Sequence, residues 1–399
     1  MISGQEEFTR REFLSLGGFC AAGWLLAQTA GSQAQARPSK MLLYVGTYTS
    51  NTKSEGIYVY LFDSGTGELN LHNTVKGIEE PSFLTIDQKH RNLYAVNELV
   101  DYEGKPSGSV SAFAIDQETG NLSFLNRQSS LGGAPCHITT SDNGKFALVA
   151  NYLGGNISVF PIEKRGMIGS AVDVVRFSGS GPNKERQLSP HAHSVTLDRN
   201  NQFAFAADLG TDRVMIFEFN KYNGRLSPNR AQAFFQTRAG AGPRHFTFHP
   251  NGRLAFVINE LDSTISSLAY DEKAGRLTEI KTISTISGES SVANTCADIH
   301  VSPDGKTLYG SNRGQDTIAA FMINQKSGVI SPVENIATGG KRPRNFAIDP
   351  AGNFLLAANQ ETNNISILNI DKTTGRLKST GITAEVPSPV CLKFVPIII

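Results

Sequence analysis

Tryptophan is almost missing from this chain: among 399 residues it occurs once, as Trp24, beside five methionines and four cysteines. Charge is modest, with 18% Asp, Glu, Lys and Arg and a net charge of +1, and it gathers into no basic stripe interleaved with aromatics. That distribution argues against a nucleic-acid or anionic-membrane partner. No apolar run is long enough to span a bilayer, which needs about 20 residues. The best candidate, from Leu16 to about Ala27, is interrupted by Gly17, Gly18 and Gly23. Cysteine is too scarce for a disulfide framework. Once Cys20 of the N-terminal segment is set aside, Cys136, Cys296 and Cys391 are odd in number and occupy non-corresponding positions, so we expect buried, inert thiols.

What the chain does have is a repeat. Seven times, at intervals of roughly fifty residues, an extended segment is followed by a Gly-type turn and a second segment such as RNLYAVNE, KFALVANY, RLAFVINE or KTLYGSNR. An alternating run then leads to Thr-Gly-x-Leu or a relative. The period-two alternation is that of strands, and several short strands in each of many copies imply radially stacked blades. The ends complete the count. Pro389 to Val395 resembles a first segment lacking its second, and Met41 to Tyr48 a second segment lacking its first. We therefore expect an all-β, seven-bladed β-propeller whose ring closes by pairing the C-terminal strand with the N-terminal blade, leaving no free edge at the seam.

Residues 1–36 read as an address and 37–399 as the propeller domain. Thr9-Arg10-Arg11-Glu12-Phe13-Leu14 looks like a twin-arginine export motif, followed by the apolar stretch and by Ala34-Gln35-Ala36 as a small-residue cleavage site. The expected partner of this segment is the Tat export machinery, and the expected location is the periplasm or the exterior. No membrane span is expected after its removal.

Aligned variable residues collect at one rim of the ring. First-segment entries include Ser82, Cys136, His193, Arg244, Ala297, Arg344 and Val390; second-segment ends include Glu98, Tyr152, Glu260, Arg313 and Gln360. Arg244 and Glu260 are sixteen residues apart across a turn near position 252, so they should face each other at the mouth of one hairpin. An exposed pair there would add only about 0 to 1 kcal/mol. With His193 entering from the previous blade and Arg313 from the next, the cluster instead reads as a prepared anion site. His191 and His193 form a His-x-His pair that could hold zinc or copper, but no third ligand has recognisable spacing, and we expect neither metal nor other cofactor.

Ser189-Pro190-His191-Ala192-His193-Ser194, Gly242-Pro243-Arg244-His245, Val257-Ile258-Asn259-Glu260-Leu261 and Ser311-Asn312-Arg313-Gly314 resemble the motifs of the seven-bladed lactonase family. That family includes 6-phosphogluconolactonases and carboxy-muconate lactonising enzymes, and the resemblance spans residues 40 to 396. It implies a small lactone or acid bound in the central channel, with His193, Arg244, Glu260 and Arg313 as the catalytic set. Glu98, His137, His191 and His245 are the expected substrate-binding neighbours. The chain departs from the family at Gln315, where a His commonly stands. On this reading His193, or failing it Glu260, is the general base of lactone hydrolysis and Arg244 and Arg313 form an anion clamp. The alternatives are cyclisation of a muconate-type diacid, or a non-catalytic exported propeller binding a protein or glycan. A quinone-dependent dehydrogenase ring is disfavoured by the missing tryptophans. An exported copy would meet unphosphorylated sugar lactones or carboxylated lactones, because phosphorylated gluconolactone is made in the cytosol.

Overall fold

The computed structural model describes residues 40–287 and 292–397; the expected export segment, residues 1–36, lies outside them. Seven antiparallel sheets form a ring. Blade 2 is Phe83–Ile86, Asn92–Asn97, Ser109–Ile115 and Leu122–Ser129, and blade 3 is Pro135–Thr140, Phe146–Asn151, Asn156–Pro161 and Asp173–Arg176. Blade 4 is Ala192–Leu197, Phe203–Asp208 and Arg213–Phe219 with an outer edge split into Leu226–Pro228 and Phe234–Gln236. Blade 5 runs from Pro243–Phe248 out to Arg276–Ser284, blade 6 from Thr295–Val301 to Ile330–Ala337, and blade 7 from Pro343–Ile348 to Leu377–Glu385. Blade 1 is composite. Pro389–Pro396 supplies its innermost strand, antiparallel to Lys40–Thr47 with Leu42 opposite Val395 and Val45 opposite Leu392.

The repeated turn has a local cause. Asp63, Asp116, Asn220, Asp271, Asn324 and Asp371 each end or directly follow a third strand, and each side-chain oxygen accepts backbone N–H groups two and three residues on. Four residues on, the glycine of the Thr-Gly-x-Leu motif turns left-handed, as at Gly120 (φ 73°). A Cβ there would also strike Leu42 of the neighbouring blade. Turn chemistry and blade stacking thus demand the same residue.

Each hydrophobic core lies between blades. Leu148 and Ile157 of blade 3 meet Val195 and Phe217 of blade 4; Phe205 of blade 4 stacks on Phe246 of blade 5, centroids 5.2 Å apart. The seam is packed in the same way, with Leu43 and Tyr60 against Leu356 and Ile365. Full burial of each such side chain contributes about 1.5–3 kcal/mol.

Two devices aim side chains at the channel. The Asn ending most second strands is buried and bonds back to the connection from the preceding outer strand: Asn97 to Glu79 O, Asn151 to Ser130 O, Asn312 to Thr285 O. The residue after it is thereby delivered to the mouth. On the facing strand the register slips by one residue between Pro135 and His137, Ala192 and Ser194, Pro243 and His245, and Pro343 and Asn345. The skipped residues are Cys136, His193, Arg244 and Arg344. A bulge re-aims the side chain it carries, and the seven innermost strands, each touching the next around the ring, bring these positions together.

Candidate active site

Glu98, Cys136, Tyr152, Arg186, His193, Glu260, Thr295, Arg313, Arg342 and Arg344 line one cavity of about 250 Å³, drawn from blades 2 to 7 and one inter-blade loop. The expected rim therefore exists. Its organising group is Glu260, which is buried and whose oxygens are both taken. Oε1 accepts from Arg186 Nη2 at 2.6 Å, while Oε2 accepts from Arg244 Nε at 3.0 Å and pairs with Arg313 Nη2 at 2.9 Å. Burial alone would raise this carboxyl, but Arg313, Arg244 and Arg186 overcome it and hold it at about 2. Three guanidiniums on one carboxylate leave a local excess of positive charge.

The backbone fits this arrangement. Gly242, at φ 64°, accepts the Glu260 N–H at 2.7 Å, so the loop before Arg244 and the end of the Glu260 strand are tied together. Asp212 fixes the same loop through the N–H groups of Gly240 and Gly242, and also binds the side chain of Gln187. Arg186 is thus held by its neighbour in sequence.

His193 is buried, with Nδ1 3.6 Å from Cys136 Sγ. Burial and the charge of Arg244 push its basicity well below the usual imidazole range, so it is neutral at physiological pH. The opposite wall holds Glu98, half-buried, accepting a 2.9 Å hydrogen bond at Oε2 from the Tyr48 hydroxyl. Burial raises the Glu98 carboxyl against the opposing pull of Arg344.

Several expected positions are corrected. Arg244 stands behind the wall rather than on it: 2% exposed, it binds Glu260, the Ala297 carbonyl and His245 Nε2. His245 does not line the cavity either. It lies deeper in the channel, its Nδ1 2.7 Å from Asp298 Oδ1, with its basicity lowered to about 4 chiefly by burial and by Arg244. His137 packs on Phe83 (centroids 4.4 Å) and edge-on to His245. His191 turns away to stack on the Tyr152 ring and sits 3.0 Å from its carbonyl oxygen, whereas His193 meets the same ring edge-on and turns its Nδ1 to Cys136, so the two rings of the His-x-His pair are used differently. The bulge at His193 is the reason: it breaks the alternation that would have put both rings on one face. The three cysteines among the described residues are free and buried, and burial raises all three, Cys296 to about 12 and Cys391 to about 11.

Sequence reasoning missed Arg186 and Asp298, and it placed Tyr152 and Arg344 on the rim without giving either a role. Arg186 lies in the connection between blades 3 and 4, outside the repeat. Asp298 is hidden among apolar inner-strand residues, yet it accepts from Asn345 Nδ2, pairs with His245 and His300, and keeps its carboxyl well below the usual range despite burial.

A family model, Lactonase, 7-bladed beta-propeller, matches residues 42–394. The chain belongs to this lactonase family. Relatives of the propeller include a protein named 6-phosphogluconolactonase from Bacillus subtilis, 37% identical over 356 residues, 89% of this chain and 99% of that one. Among solved structures, a periplasmic gluconolactonase from Pseudomonas aeruginosa superposes with a TM-score of 0.84 at 32% identity, covering 90% of this chain and all of the other. A structure from Bacteroides fragilis gives 0.83 at 39% identity, covering 90% and 98%. Among the described residues no helix of this lactonase-family chain is long and apolar enough to cross a membrane.

Proposed function

We propose that this lactonase-family chain hydrolyses a small sugar-derived or carboxylated lactone in the channel mouth, after export through the twin-arginine route directed by residues 1–36. The observation that carries the reading is the Glu260 cluster, a carboxylate surrounded by Arg186, Arg244 and Arg313 at the wall of a cavity sized for a monosaccharide. Ring opening puts negative charge on the carbonyl oxygen as water adds. Guanidiniums already fixed by Glu260 meet that charge without reorganising. Arg186 and Arg313 reach the cavity, and Arg313 Nε has no hydrogen-bond partner among the described residues.

Neutral His193 is the base. Its Nδ1 faces Cys136, and among the described residues no hydrogen bond occupies Nε2, which is left to take the proton of the attacking water. Glu260 cannot serve, because three cations have removed its basicity and both oxygens are engaged. Cys136 is a poor nucleophile, since its thiol is held protonated by burial and points at the carbonyls of Ala192 and His193. Glu98, held by Tyr48, accepts substrate hydroxyls on the far wall. Agreement with relatives named 6-phosphogluconolactonase and with a periplasmic gluconolactonase supports the reaction class and the compartment.

Acid release by purified mature protein, measured across a panel of sugar and muconate-type lactones, tests the reading. We expect turnover of at least one sugar or carboxylated lactone, lowered at least about tenfold by His193→Ala and by Arg244→Ala with the fold intact. Opening of none, or wild-type rates in both variants, removes it.

A further inference from the structure

Five arginines stand in or behind the cavity wall, and four have acidic partners. Arg186, Arg244 and Arg313 share Glu260, and Arg342 pairs with Glu361 at 3.2 Å. The fifth, Arg344, has no ion pair and no side-chain hydrogen bond among the described residues. Its guanidinium lies over the Tyr48 ring, 5.2 Å from the centroid. Tyr48 is itself fixed, because its hydroxyl donates to Glu98. Arg344 is also a bulge residue, so it is thrust into the channel by the same register slip that presents His193. A half-buried cation with its donors unspent and its carbon face supported on an aromatic is arranged to receive an anion from outside.

We infer that Arg344, seated on Tyr48, binds an anionic substituent of the substrate, a carboxylate or a phosphate, and sets the preference for charged over neutral lactones. The inference rests on the hydrolase reading and divides the site. Arg186 and Arg313, on the Glu260 side, face the carbonyl oxygen; Arg344, on the Glu98 side, holds the remote end of the molecule. Arg244 and Arg313 are committed to Glu260 and to the carbonyls of Ala297 and Cys296, which is why neither is the receptor for that remote anion.

The test compares wild type, Arg344→Gln and Arg344→Lys on glucono-1,5-lactone, its 6-phosphate and glucaro-1,4-lactone. Calorimetric titration with inorganic phosphate and with glucarate runs alongside. For Arg344→Gln the ratio of charged to neutral kcat/KM should fall about tenfold or more, carried by KM, with Arg344→Lys recovering part of it. Binding of phosphate or glucarate should weaken in step. Whichever charged lactone suffers the larger loss identifies the natural anion. Equal losses on charged and neutral lactones, or undiminished binding of both anions by Arg344→Gln, would overturn the inference. Failure of the wild type to open any lactone would instead count against the hydrolase reading, while the titrations still decide the role of Arg344.

Discussion

Glu260 and Glu98 face one cavity from opposite sides, and the protein treats them in opposite ways. Glu260 is saturated by guanidiniums and held ionised far below the ordinary carboxylate range. Glu98 has a phenol for a partner, no ion pair among the described residues, and a carboxyl that burial raises against the through-space pull of Arg344. The difference follows from reach. Blades 5 and 6 and the connection before blade 4 place three arginines within bonding distance of one residue; blades 7, 1 and 2 place an arginine, a tyrosine and a glutamate in a row, with the ring between the charges. The first wall is a rigid block of fixed charge, and the second retains hydrogen-bonding capacity that no ion pair among the described residues consumes.

The sharpest way to break this contrast is Glu260→Gln. Removing one partner of a buried ion cluster costs about 3–5 kcal/mol, and we expect turnover to drop by about a hundredfold or more, read from denaturant unfolding and initial rates together. The pH dependence has a definite sign. Stability from Glu260 is complete above the ordinary carboxylate value and is lost as pH falls through about 2, so the variant should show a flatter acid limb. Glu98→Gln should act the other way. A carboxyl raised in the folded state weakens the fold as pH rises through that raised value, so the variant should be as stable as wild type or more so at neutral pH. Its activity loss should be about five- to tenfold and expressed mainly in KM.

Behind the first wall, His245→Gln probes the support that Asp298 gives to Arg244. His245 is held near 4, against about 6.5 when unfolded. The unfolded chain therefore takes up a proton as pH falls from about 6.5 to 4, and stability declines across that window. The variant should flatten this slope and lower kcat several-fold, as should Asp298→Asn. Cys136→Ser is the smallest perturbation, and a change in turnover under about threefold would confirm that the thiol takes no part in the chemistry.

The ring and its closure were legible because strand alternation, the Thr-Gly-x-Leu motif and the mismatched ends are all written in local residue types. So was the register that brings Glu98, His193, Glu260 and Arg313 to one mouth, since each follows a fixed offset from a turn or a structural Asn. What local pattern could not show was the bulge. By adding one residue to the inner strand it separates His193 from His191 and lets Arg244 fold back behind Glu260. Arg186 escaped because its connection has no counterpart in other blades. The freedom of Arg344 and the hub role of Asp298 depend on which side chains from other blades come within bonding distance, and no single strand encodes that.

The pairing of Lys40–Thr47 with Pro389–Pro396 has a consequence for biosynthesis. An emerging polypeptide exposes an unpaired edge at its earliest blade until Pro389–Pro396 has been made and released, so the ring closes only after every other blade has been synthesised. Chains shortened by the last dozen residues should display that edge permanently and self-associate, whichever catalytic groups they retain.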